Sequence, residues 1–302
     1  MTHMWMPLSV RQGAGEVVQD ELSPVLATAL RRWVERAVRN EGIGDRIMLR
    51  CELFCGPDIE ADDADFVAWC TPEEQLLDVV DAVLDLLPVG IPTQPTPPSG
   101  PGGGPVTGLD MFALAFARMS YSKYHGPLKQ MLADARFAYV IRADGRALVR
   151  RVDSTIAALV VDASRAAQQP ERGSAAAHLR RAYEEAYALH PDSVRAYSES
   201  IKAVEAAMHQ TLEPNNAKAT MGTMLRELRQ HPDRFIVAIP GKNGSEGVAT
   251  IEAMVSLLWT GQASRHGGKG PTQEETEAQA RMAVHMAGSL VQWFSTGAIQ
   301  RK

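Results

Sequence analysis

Cysteine is scarce: the 302 residues contain three, Cys51, Cys55 and Cys70, an odd number with no C-x-x-C pair. That excludes a disulfide framework, and no histidine cluster follows at zinc-ligand spacing. The three are read as buried, reduced thiols, which fits a cytoplasmic protein. Positive charge is not in excess either. Lys and Arg number 31 against 36 Asp and Glu, for a net charge of −5 and a pI near 5.9. A constitutive nucleic-acid coat would show a basic surplus. A local basic pocket remains open, with Arg146, Arg150, Arg151, Arg180 and Arg181 as candidates. No apolar run is long enough to span a bilayer. The opening Met-Thr-His-Met-Trp-Met-Pro lacks the charged and apolar regions of a signal peptide. The expectation is a cytoplasmic protein with no membrane partner, no metal and no cofactor. What is present is ordinary globular usage, 45% hydrophobic and 22% charged, at a length that suggests about two domains.

Proline and glycine are concentrated in one place. Pro88, Pro92, Pro95, Pro97, Pro98, Pro101 and Pro105 interleave with Gly90, Gly100, Gly102, Gly103 and Gly104. Such a composition forms no packed element, so 89–107 reads as a linker. Before it, 1–88 reads as a small α/β module. Val17 to Arg39 is helical, Asp45 to Phe54 alternates like a strand, and Phe66 to Cys70 has the look of a second strand. Thr71-Pro-Glu-Glu opens a helix whose inner face is Leu76, Val79, Val80, Val83, Leu84 and Leu87. Residues 108–144 read as a connecting segment of short helices and one strand, with Ala143-Asp-Gly as a turn. Over 145–302 the pattern is helical, starting with Leu148, Val152, Ile156, Leu159 and Ala163. Later stripes are Leu179, Ala182 and Ala186; then Tyr197, Ile201, Val204, Met208 and Leu212; then Met221, Met224, Leu225 and Leu228. The fold class expected is mainly α, with a C-terminal helical bundle joined by the Pro/Gly linker to the small α/β unit.

The second half turns on Trp259-Thr-Gly-Gln-Ala-Ser-Arg-His-Gly-Gly268. If the helix continues through this stretch, Trp259, Gln262 and His266 share one face, with Arg265 beside it. An arginine offers phosphate a planar fork of donors, and a histidine exchanges protons near neutral pH. The plainer reading is a helix C-terminus with cations that suit its dipole, closed by glycine. Glu205 lies on the edge of the Ile201–Met208 apolar face and needs a partner, either Arg265 or, more plainly, Lys202 or solvent.

The segment Ala196-Tyr-Ser-Glu-Ser-Ile-Lys-Ala-Val-Glu-Ala-Ala-Met208, then Thr220-Met-Gly-Thr-Met-Leu-Arg-Glu-Leu228, then Trp259 to Gly268 with a long closing helix, resembles the HEPN helical domains. The likeness is to versions found in bacterial abortive-infection and toxin-type proteins, and it covers roughly Leu148 to Ile299. It implies a HEPN-like bundle that pairs as a homodimer. It also implies a metal-independent ribonuclease with RNA as substrate, with catalytic residues Arg265 and His266 and binding residues Gln262, Glu205 and Trp259. In the family the Arg and His stand a few residues apart; here they are adjacent. The alternative is a non-catalytic dimerisation or sensor module that binds a protein or a nucleotide-like ligand, with a protein partner held through the N-terminal module.

Overall fold

The computed structural model describes residues 18–54, 62–88, 123–242, 245–265 and 272–302. Cys55, the linker 89–107, the start of the 108–144 segment and His266 fall outside the described residues. The chain is mainly helical and divides into two compact units, Met1–Arg151 and Val152–Lys302. Among the described residues no helix is long and apolar enough to cross a membrane.

In the first unit, α1 (Pro24–Glu41) begins where Ser23 Oγ accepts the Leu26 N–H and Pro24 presets the first turn. It ends at Gly42, whose φ of 61° is the left-handed conformation that glycine adopts freely. The stretch read as a strand from Asp45 is instead α2 (Gly44–Arg50). Its alternation misleads because residues of one phase do not share a face: Ile47 is fully buried while Leu49, two residues on, is 82% exposed. Ile43 and Ile47, four apart, are the residues that reach the core, which is helical spacing. Phe66–Cys70 is likewise a π-helical turn and not a strand, with the Thr71 hydroxyl donating to the Val67 carbonyl. α3 (Leu76–Leu86) buries Leu76, Val79, Val80, Val83 and Leu84 as its spacing predicts. Nor are the thiols uniformly buried: Cys51 is half-buried and Cys70 is exposed.

Residues 123–134 form a further helix, α4, whose Tyr124, Leu128 and Leu132 lie in one core with Leu30, Val34 and Val83. The Trp33 indole N–H donates to the Tyr124 carbonyl at 2.9 Å. β1 (Tyr139–Ile141) and β2 (Leu148–Arg150) then form an antiparallel hairpin. Leu148, expected to start the helical pattern, is therefore a strand residue. Asp144 closes the turn by accepting from the Arg146 N–H and the Arg142 side chain, and Asp81 accepts the Leu148 N–H. Among the described residues these are the first strands; only a bridge from Gln19 to Phe137 lies outside them. The β part of this unit is thus the hairpin at 139–150, and the segments before residue 88 are helical where described.

In the second unit, α5 (Ser154–Ala166), α6 (Ala175–Ala186), α7 (Ser193–Leu212) and α10 (Glu277–Thr296) pack on one another. α8 (Met221–Gln230) and α9 (Glu246–Thr260) pack together beside them. α5 starts at Asp153, whose carboxylate accepts the Thr155 N–H. The stripe Tyr197, Ile201, Val204, Met208 and Leu212 is buried along the length of α7. Burial of each such large side chain stabilises by roughly 1.5–3 kcal/mol relative to exposure. A short ribbon of β3 (Phe235–Val237) and β4 (Ile299–Arg301) joins the loop after α8 to the end of the chain.

Candidate functional site

The site is built where α9 stops. The helix does not run on to His266, as a shared face for Trp259, Gln262 and His266 would require. It ends at Thr260, passes through Gly261, and resumes as a single 3-10 turn, Ala263–Arg265. Gly261 has an ordinary helical φ of −75°, so conformation does not demand glycine here. Space does: a Cβ would lie 2.6 Å from the Tyr197 hydroxyl and 2.8 Å from the Leu257 carbonyl. α7 thus presses a tyrosine against the end of α9.

The break turns Arg265 back over Trp259. The guanidinium carbon sits 4.6 Å from the ring centroid, a cation–π distance. Trp259 is seated in turn by α8, where a Cβ on Gly222 would lie 3.0 Å from the ring edge. Among the described residues Arg265 forms this stacking contact and no salt bridge or hydrogen bond. Several other arginines of the unit are tied down, Arg229 to Glu252, Arg234 to Glu227, Arg281 to Glu277 and Arg172 to the Ala207 carbonyl, whereas Arg180 and Arg226, like Arg265, form no such bond among the described residues. Arg265 is therefore placed on the ring with donors unspent among the described residues.

Two residues that the sequence did not single out complete the surroundings. Glu275, just before α10, is 4% exposed, and its Oε1 accepts the Ser264 N–H at 2.8 Å. Tyr197 is nearly buried; desolvation raises its pKa, the Glu275 carboxylate raises it further and Arg265 opposes them. The phenol stays protonated at neutral pH. Neither residue carries a local motif. Tyr197 reads as one more member of an apolar stripe and Glu275 as one of several acids near a helix start.

Gln262 is half-buried in the gap between α9 and the 3-10 turn, and forms no side-chain hydrogen bond among the described residues. Glu205 does not join Arg265. Its Oε1 accepts the Met221 N–H at 2.8 Å, so its carboxylate completes the N-terminus of α8, where the helix dipole favours negative charge. The buried acid on α7 is Glu199, six residues earlier. It takes hydrogen bonds from His178 Nδ1 at 2.6 Å and Lys202 Nζ at 2.8 Å, with Arg181 at 3.3 Å. Burial pushes its pKa up, but the bonds from Lys202 and His178 outweigh that and hold it below the usual carboxylate range.

No group of three or more His, Cys, Asp or Glu among the described residues could hold a metal ion. No protein-family model matches the sequence, and neither a curated protein nor a solved structure matches it.

Proposed function

We propose that the second unit is a HEPN-like domain of the prokaryotic defence or toxin type. In this reading it cleaves RNA without a metal, with Arg265 and His266 as its catalytic pair. The ribose 2′-oxygen attacks the adjacent phosphorus and the 5′-oxygen leaves. His266 takes the 2′-hydroxyl proton or delivers one to the leaving oxygen, and Arg265 stabilises the charge gathering on the phosphoryl oxygens. The observation that supports this reading is Arg265 itself: a guanidinium held on the Trp259 face, with no acidic partner among the described residues, offers its fork to a phosphate.

The test is cleavage of a mixed-sequence RNA in excess chelator, reading 2′,3′-cyclic phosphate ends. Arg265→Ala and His266→Ala should each lower the rate by about a hundredfold or more, the scale of one acid–base or charge-stabilising group. Both should leave thermal stability nearly unchanged. Wild-type protein that leaves every RNA intact, or variants that cleave as well as wild type, would reject the reading.

A non-catalytic module is the second reading. A half-open apolar cavity of about 340 Å³, lined chiefly by Val237, Ile239, Ile251, Trp293 and Ile299, favours it. At its edge Ile239 is 80% exposed. Absence of cleavage together with binding of a nucleotide or a second protein would favour this alternative.

A further inference from the structure

Glu275 is 4% exposed and spends only one of its oxygens. Oε1 accepts the Ser264 N–H, while Oε2 is buried and has no hydrogen-bond partner among the described residues. For stability alone this is a poor use of a carboxylate. Burial of a charge is costly, and a single neutral amide donor offsets little of that cost. The geometry gives it another use. Ser264 is the middle residue of the 3-10 turn, directly before Arg265. Glu275 immediately precedes Thr276, the N-cap of α10, which is held by a reciprocal capping box: the Thr276 N–H donates to Gln279 Oε1 at 2.8 Å, and the Gln279 N–H donates to Thr276 Oγ1 at 3.3 Å. The backbone of Glu275 is therefore anchored to α10, one of the two 20-residue helices of the unit. Its side chain reaches back eleven residues to catch the turn.

We propose that Glu275 is the positioning residue of the Arg265 site: a latch from the root of α10 that holds the 3-10 turn where the guanidinium stacks on Trp259. The importance of the latch for activity rests on the ribonuclease reading above, but the latch itself does not. Without it, the contacts that secure the turn among the described residues are its own single-turn backbone and the stack on Trp259. Arg265 would then sample positions off the ring, and a misplacement of about 1 Å is enough to cost a hundredfold in rate.

Two conservative variants separate reach from charge. Glu275→Gln keeps an acceptor at the same distance, and Glu275→Asp keeps the charge but withdraws the oxygen by one methylene. The readout is the Trp259 indole N–H resonance, assigned by its loss in Trp259→Phe, together with hydrogen exchange at the Ser264 amide. Arg265→Ala marks where the indole resonance falls when the stack is gone. The latch predicts that Glu275→Gln leaves both signals at their wild-type values. It predicts that Glu275→Asp moves the indole resonance toward the Arg265→Ala position and speeds Ser264 exchange at least tenfold. A Glu275→Asp protein with both signals unchanged would overturn the proposal, as would a Glu275→Gln protein that behaves like Arg265→Ala. These signals are read without RNA. Wild type that cleaves nothing while the Asp variant loses the stack would defeat the ribonuclease reading and leave the latch standing.

Discussion

Gly222→Ala tests whether Trp259 is truly seated by α8. Gly222 is the second residue of α8, with Thr220 as N-cap. On helix propensity alone, replacing glycine by alanine inside a helix stabilises by about 1 kcal/mol. The structure predicts the opposite sign. The new Cβ would stand 3.0 Å from Trp259 Cη2 and 3.5 Å from Cζ2, so the ring must give way. The ring is not free to do so, because Arg265 covers one face. Overpacking of this kind costs roughly 1–3 kcal/mol, which leaves a net loss of about 1 kcal/mol after the propensity gain. In a Trp259→Leu background the obstruction is gone, and the same substitution should stabilise by about 0.5–1 kcal/mol. The coupling energy between the two sites is then about 2 kcal/mol, well above the few tenths expected of independent positions. Urea unfolding of the four proteins measures it directly. If Gly222→Ala stabilises the wild-type background as much as it stabilises Trp259→Leu, the ring does not rest on α8, and the account of how Arg265 is held fails with it.

Glu199→Ala strands His178, Lys202 and Arg181 beside a buried gap, and should destabilise the second unit by about 2 kcal/mol, the scale for breaking a buried charged hydrogen bond. The pKa of Glu199 is lowered on folding, so its contribution is complete above the ordinary glutamate value of 4.5 and is lost as pH falls through the depressed value. Wild type should therefore lose stability below about pH 4.5 more steeply than Glu199→Gln, and equal slopes in acid melts would contradict this. Limited proteolysis directed by composition to the Pro88–Val106 region should not release the N-terminal piece. Tyr124, Leu128, Leu132 and Phe137 share a core with Leu30, Val34 and Val83, so the nicked halves should migrate together on a native gel and separate only in denaturant. Separation without denaturant would show that this core does not hold.

Much of the helical content was legible locally, and the reason is physical. An amphipathic helix repeats its buried positions every three to four residues, so α3, α7 and α8 could be read with their inner faces. Helix starts were less legible: the helix read from Val17 begins only after Ser23, whose hydroxyl caps it, because a cap residue is also an ordinary loop residue until the chain turns there. The strand reading of Asp45 to Phe54 failed because a short apolar alternation is also compatible with a helix that buries one residue per turn; the neighbouring core, which takes Ile43 and Ile47 and leaves Leu49 outside, chose between them. For the site, residue types pointed to Arg265 and His266, with Trp259, Gln262 and Glu205 as their surroundings, but not to the stacking of Arg265 on Trp259. Only tertiary structure could decide the rest. Position 261 takes glycine because Tyr197, on a helix far away in sequence, occupies the space a side chain would need. Glu205 serves α8 because that helix begins beside it, and Glu275 reaches the Arg265 turn because α10 is rooted there. Periodicity and capping are properties of a few consecutive residues, whereas which carboxylate meets which amide depends on how the helices pack.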